Sequence, residues 1–102
     1  MSNKSVIIDG VRSPIGMKNG TIVGMRPDDL AAQVVSGLRK RNPSVPSSDI
    51  EDLVLGCAFP EGPQGMLIAR SVGILSGLTI GTGGKVVNRF CGSSMDALHQ
   101  VS

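Results

Sequence analysis

Asn88-Arg89-Phe90-Cys91-Gly92-Ser93-Ser94-Met95 decides the reading of this chain, because it puts a cysteine where a β-strand becomes a helix. Before Cys91, the residues Val86, Val87 and Phe90 read as a short buried strand; after it, Met95, Leu98 and Val101 recur at helical spacing. A thiol at such a junction lies against the first unpaired N–H groups of the helix and its positive dipole end. That setting favours thiolate over thiol, and the thiolate is the nucleophile. Gly92 is expected to leave room for an acyl oxygen to reach the junction amides. The expectation is acyl transfer through Cys91. Its plain rival is a free cysteine acting as a small buried hydrophobe.

Working outward, Ser5 to Asp9 reads as a first buried strand, and Gly10 to Gly24 as a glycine-rich loop with a turn at Met17-Lys18-Asn19-Gly20. Pro27-Asp28-Asp29 opens a helix whose apolar face is Leu30, Ala31, Val34, Val35 and Leu38. Arg39, Lys40 and Arg41 complement its C-terminus, and Asn42-Pro43 stops it. This basic cluster reads as a solvated helix end rather than a site for the phosphates of CoA. Ser48 or Asp49 is expected to cap a short turn before a second strand, Leu53 to Gly56, which Cys57 and Ala58 continue. Met66 to Leu75 reads as a second helix, mostly buried, and Gly81 to Gly84 as a plain turn lacking the Lys-Ser/Thr of a phosphate loop. Lys85 leads into the third strand. The expected fold class is α/β, in the order β-α-β-α-β-α, with a small parallel sheet. Chemistry in such sheets gathers at the carboxyl ends of strands, where Cys91 lies.

Length and composition narrow the function classes. The 102 residues allow one domain with a modest core, built from Val, Ile, Leu, Ala and Met because there are two Phe and no Trp or Tyr. A net charge of +2, with scattered basic residues and no interleaved aromatics, does not suggest nucleic acid. No apolar run is long enough to span a bilayer. Neither a secretory signal nor a transit peptide is apparent in Met1-Ser2-Asn3-Lys4-Ser5, and Cys57 and Cys91 make no disulfide framework. These features fit a reducing, cytoplasmic location. Cys57, at a strand end among apolar neighbours, reads as inert packing.

Val86-Val87-Asn88-Arg89-Phe90-Cys91-Gly92-Ser93-Ser94-Met95-Asp96-Ala97-Leu98 closely resembles the nucleophile segment of the thiolases, in wording nearest the degradative 3-ketoacyl-CoA thiolase branch. Arg12-Ser13-Pro14-Ile15-Gly16 and Gly62-Pro63-Gln64-Gly65 with Ile68-Ala69-Arg70 resemble two further segments, in family order. Leu67 stands where many thiolases carry asparagine, a departure that bears on packing of the second helix. The resemblance implies Cys91 as the residue that takes the acyl group as a thioester. It also implies an oxyanion hole that includes the Cys91 amide, no resident cofactor or metal, and CoA and acyl-CoA as substrates. A homo-oligomer formed through the third strand is implied as well.

The family's activating histidine and second reactive cysteine have no counterpart here. His99 is eight residues beyond Cys91, about 12 Å along a helix, too far to act as its base. Asp96 reads as a helix-face carboxylate. Val101 and Ser102 continue the helical period without a stop, so the expectation is the opening part of a longer polypeptide, residues 1–102 being an incomplete thiolase N-terminal domain. The segment alone is expected to turn over no substrate. The alternatives are a biosynthetic acetoacetyl-CoA thiolase, a non-catalytic thiolase-like lipid carrier or interaction module, and a redox protein using Cys57 and Cys91, which lack Cys-x-x-Cys spacing.

Overall fold

A computed structural model describes residues 3–102. Its regular elements are α1 (Pro27–Arg41), β1 (Asp52–Gly56), α2 (Ile68–Leu75), β2 (Gly83–Val87) and α3 (Ser93–Val101). Short 3-10 turns at Ser47–Asp49, Gly62–Gln64 and Phe90–Gly92 sit between them. β1 and β2 run parallel, with Leu53 opposite Gly84 and Leu55 opposite Val86. Parallel strands need a crossover, and α2 supplies it.

The two faces of the sheet are covered differently. Leu53, Leu55 and Val86 point to one face and pack against a core of Ala32, Ile68 and Val72 from α1 and α2. α2 comes so close there that a Cβ on Gly84 would lie 2.7 Å from the Arg70 backbone nitrogen. The opposite face belongs to α3, which presents the small residues Ser93 and Ala97 inward. A Cβ on Gly56 would meet the Ser93–Ser94 backbone, so no larger residue fits under the start of α3.

α1 has the bounds its sequence marks suggest. Proline stands at its first position, Asp28 and Asp29 in its first turn and three basic residues in its last. The Asn42 N–H returns to the Arg39 carbonyl, and its side-chain amide donates to the Leu38 carbonyl at 2.9 Å, closing the end. The basic cluster is less solvated than expected. The Arg39 guanidinium donates to the Ser76 carbonyl at 2.7 Å and to the Ser47 hydroxyl, tying α1 to the end of α2. Arg41 pairs with Asp9 at 3.1 Å.

Three expectations are corrected. Ser5 to Asp9 is not a strand: no ladder reaches it, and Val6, Ile7 and Ile8 are 76–78% exposed. High β-propensity does not supply a hydrogen-bonding partner, and the segment is held instead by Asp9, which accepts from Arg41 and Asn42. α2 begins at Ile68 rather than Met66, because Met66 adopts φ +54 and cannot enter a right-handed helix. Neither Ser48 nor Asp49 caps through its side chain; both lie inside the 3-10 turn. The Leu67 departure leaves α2 well seated, with Ile68, Ala69, Val72 and Gly73 buried. The turn at Met17 to Gly20 is present, with Asn19 left-handed and the Gly20 N–H bonded to the Met17 carbonyl.

Candidate active site

β2 ends at Val87, and within six residues the chain is in α3. Between them Cys91 occupies the middle of the Phe90–Gly92 turn and is exposed. Phe90 belongs to neither element. It lies outside the strand, 70% exposed, at φ +47. A left-handed conformation at a bulky residue costs about 1–3 kcal/mol and persists only where its surroundings enforce it.

The enforcement is visible in the hydrogen bonds. The Asn88 side-chain oxygen accepts the Phe90 N–H at 3.0 Å. The buried Ser93 hydroxyl accepts the Arg89 N–H at 2.8 Å and donates to the Phe90 carbonyl at 2.6 Å. The Gly92 N–H returns to the Arg89 carbonyl at 3.0 Å. The Cys91 N–H has no acceptor among the described residues. Gly92 borders open space, for a Cβ built there meets nothing within 4 Å. A small acyl group therefore has access to both the Cys91 thiol and the amide beside it.

The other residues singled out from sequence are elsewhere or otherwise engaged. Asp96 pairs with Arg89 at 3.1 Å and accepts from Gln100 at 2.9 Å, as suits a helix-face carboxylate. His99 is exposed on α3, and its backbone carbonyl accepts from the Ser102 hydroxyl. Cys57 is half-buried; its N–H extends the sheet by donating to the Val87 carbonyl at 2.9 Å. Both cysteines are free thiols. The expected turn over Gly81 to Gly84 is corrected: Gly83 and Gly84 already pair with Asp52 and Leu53 as the start of β2, while Thr79, Ile80 and Thr82 before them are held by Arg70, Ile50 and each other. No cluster of His, Cys, Asp or Glu among the described residues has metal-binding geometry. None of their helices is long and apolar enough to cross a membrane.

Sequence reasoning missed Asn88 and Ser93. The available signal was their residue type: Asn and Ser readily bond to nearby backbone, and here they flank a strand-to-helix turn. It also missed which face of α3 turns inward. Met95, Leu98 and Val101 keep the apolar period yet are 50–68% exposed, because the close approach at Gly56 admits only small side chains.

Comparison with known proteins adds the family dimension. Residues 5–102 match the family described as thiolase, N-terminal domain. A protein of a Marinomonas species named 3-ketoacyl-CoA thiolase is 49% identical over 98 residues, covering 95% of this chain and 25% of its own length. One from Aliivibrio fischeri with the same name is 48% identical over 98 residues, again 95% of this chain and 25% of the relative. One from Colwellia psychrerythraea, also so named, is 44% identical over 101 residues, 98% of this chain and 26% of the relative. The chain thus spans about a quarter of the length of these relatives.

Proposed function

This chain belongs to the thiolase N-terminal domain family, and on that premise we propose that Cys91 is the nucleophile of an acyltransferase that cleaves 3-ketoacyl-CoA thioesters by thiolysis. The observation that carries the reading is the position of Cys91: exposed, on a constrained turn between the carboxyl end of β2 and the start of α3. The names of the relatives support thiolysis over condensation.

In this reading the Cys91 thiolate attacks the 3-keto carbon and the carbonyl oxygen takes up the charge, with the free Cys91 N–H as one donor. The C2–C3 bond then breaks. Its electron pair leaves with the acetyl-CoA enolate, which takes a proton, while the remaining acyl group stays on Sγ as a thioester. The thiol of a second CoA attacks that thioester, releases the shortened acyl-CoA and returns Cys91. Among the described residues no histidine lies within reach of Cys91 as a base: His99 is about 12 Å along the helix axis. Complete turnover therefore requires groups beyond these 102 residues.

The same reading makes CoA and acyl-CoA substrates with no resident cofactor or metal, and places the reaction in fatty-acid β-oxidation in the cytoplasm. It also makes the whole protein a homo-oligomer joined through β2, neither membrane-inserted nor bound to nucleic acid. The edge of β2 away from β1 is unpaired among the described residues, which supports strand pairing with a second copy. Two free cysteines suit a reducing compartment, which supports the location.

Incubation with acetoacetyl-CoA followed by intact mass and peptide mapping tests the nucleophile. The expected product is one acetyl group, on Cys91, without steady release of acetyl-CoA by the 102-residue chain. Acetylation at Cys57 in place of Cys91 overturns the assignment, whereas no acetyl group on either cysteine means that Cys91 is activated only by groups outside these 102 residues.

A further inference from the structure

We infer that Asn88 and Ser93 are positioning residues for Cys91, acting together by locking Phe90 in its left-handed conformation. The inference rests on the reading of Cys91 as nucleophile and extends it to two residues that touch no reacting atom.

Phe90 is the residue whose backbone sets the direction of the Cys91 peptide. Side chains reach both of its backbone polar groups: its N–H donates to the Asn88 Oδ1 at 3.0 Å, and its carbonyl accepts the Ser93 hydroxyl at 2.6 Å beside the Ser93 N–H. The same hydroxyl accepts the preceding N–H, that of Arg89, at 2.8 Å. One oxygen on the first residue of α3 thus grips the chain on both sides of the Arg89–Phe90 peptide. Ser93 is 4% exposed, so the hydroxyl is shielded from water that would compete for these bonds.

Two backbone bonds also close this turn, from the Gly92 N–H to the Arg89 carbonyl at 3.0 Å and from the Ser93 N–H to the Phe90 carbonyl, and the remaining side-chain contact is the Arg89–Asp96 ion pair, whose arginine side chain is 75% exposed. A pair so open to solvent is a weak restraint. Among side chains, the constraint on φ at Phe90 therefore falls to Asn88 and Ser93, which add to the two backbone bonds of the turn. Released, Phe90 relaxes toward negative φ, and the Cys91 amide and thiol rotate together away from the space open above Gly92.

The test measures the acetylation of Cys91 by acetoacetyl-CoA and its alkylation by iodoacetamide, across pH, with Cys57 alkylation as an internal reference. Asn88→Ala and Ser93→Ala are each expected to slow both Cys91 reactions about tenfold while Cys57 keeps its rate. Ser93→Thr, which retains the hydroxyl, is expected to keep most of the rate. Phe90→Gly in the Ser93→Ala background is expected to recover much of it, because glycine adopts the left-handed region without strain. A merely structural defect would not be rescued by removing a large side chain.

Single variants with native circular dichroism and an unaltered Cys91 rate would overturn the inference, as would slowing that Phe90→Gly fails to relieve. Should Ser93→Ala unfold, seen as faster Cys57 alkylation, the exposed Asn88→Ala decides alone by the same criterion. Wild-type Cys91 reacting no faster than Cys57 would overturn the nucleophile reading itself, and this inference with it.

Discussion

Gly56 of β1 lies directly beneath Ser93 at the start of α3: a Cβ on the glycine would sit 2.6 Å from the Ser93 carbonyl carbon. The missing side chain lets the helix bearing the Cys91 turn rest on the sheet backbone. Gly56→Ala is expected to push α3 outward and destabilise the fold by about 2 kcal/mol, read from urea denaturation. It should also slow Cys91 alkylation in the folded protein. Gly84→Ala, which crowds α2 on the other face, should destabilise comparably and leave the Cys91 rate alone. Equal effects of both variants on Cys91 would contradict this division of labour.

Gly92 differs from Gly56, since a Cβ there would stand in open space and its φ of −93 suits any residue. Gly92→Ala should leave the urea midpoint unchanged while reducing acetylation of Cys91 about tenfold, by filling the approach to the thiol. Unchanged acetylation would remove steric access from the account of this site.

The core makes a sharper demand than the periodic face of α3. Val72 is fully buried against Ala32 and Ile68, so Val72→Ala should cost about 2 kcal/mol. Met95→Ala, at a residue 68% exposed, should change stability by less than about 0.5 kcal/mol. Paired chemical denaturation of the two variants checks the ordering.

Asp9 fastens the extended N-terminal segment to the end of α1. The Asn42 amide, then the Gly10 N–H and the Arg41 guanidinium, hold its carboxyl below the ordinary value of 3.8. A lowered folded-state value means the ionised form is favoured by folding. Its contribution is present above pH 3.8 and lost as the pH falls through the lower folded value. A carboxyl-shift titration by NMR should place the Asp9 midpoint below 3.8, and Asn42→Ala should move it upward. A midpoint indifferent to that substitution would discount the contact.

What the sequence reveals is uneven, for physical reasons. α1 is legible because its marks are local: proline at the start, acids then bases along its length, and Asn-Pro at the end. The Cys91 turn is legible because its residues are contiguous. Ser5 to Asp9 misleads because strand formation depends on a partner that its own residues cannot specify. The inward face of α3 misleads for a related reason: whether Ala97 or Leu98 is buried depends on Gly56, forty-one residues earlier in the chain. A glycine inside an apolar strand was the one warning of close backbone approach. The left-handed Phe90 carries no mark in its own residue type; it is imposed by Asn88 and Ser93.

The two strand glycines also guard against error. Gly56 and Gly84 face opposite layers, each matched to one helix. Sliding β1 by a single position would turn Leu55 or Cys57 toward α3 and deny the helix its seat. Strand register and helix seating are thus one and the same condition, met when each glycine faces the helix it accommodates.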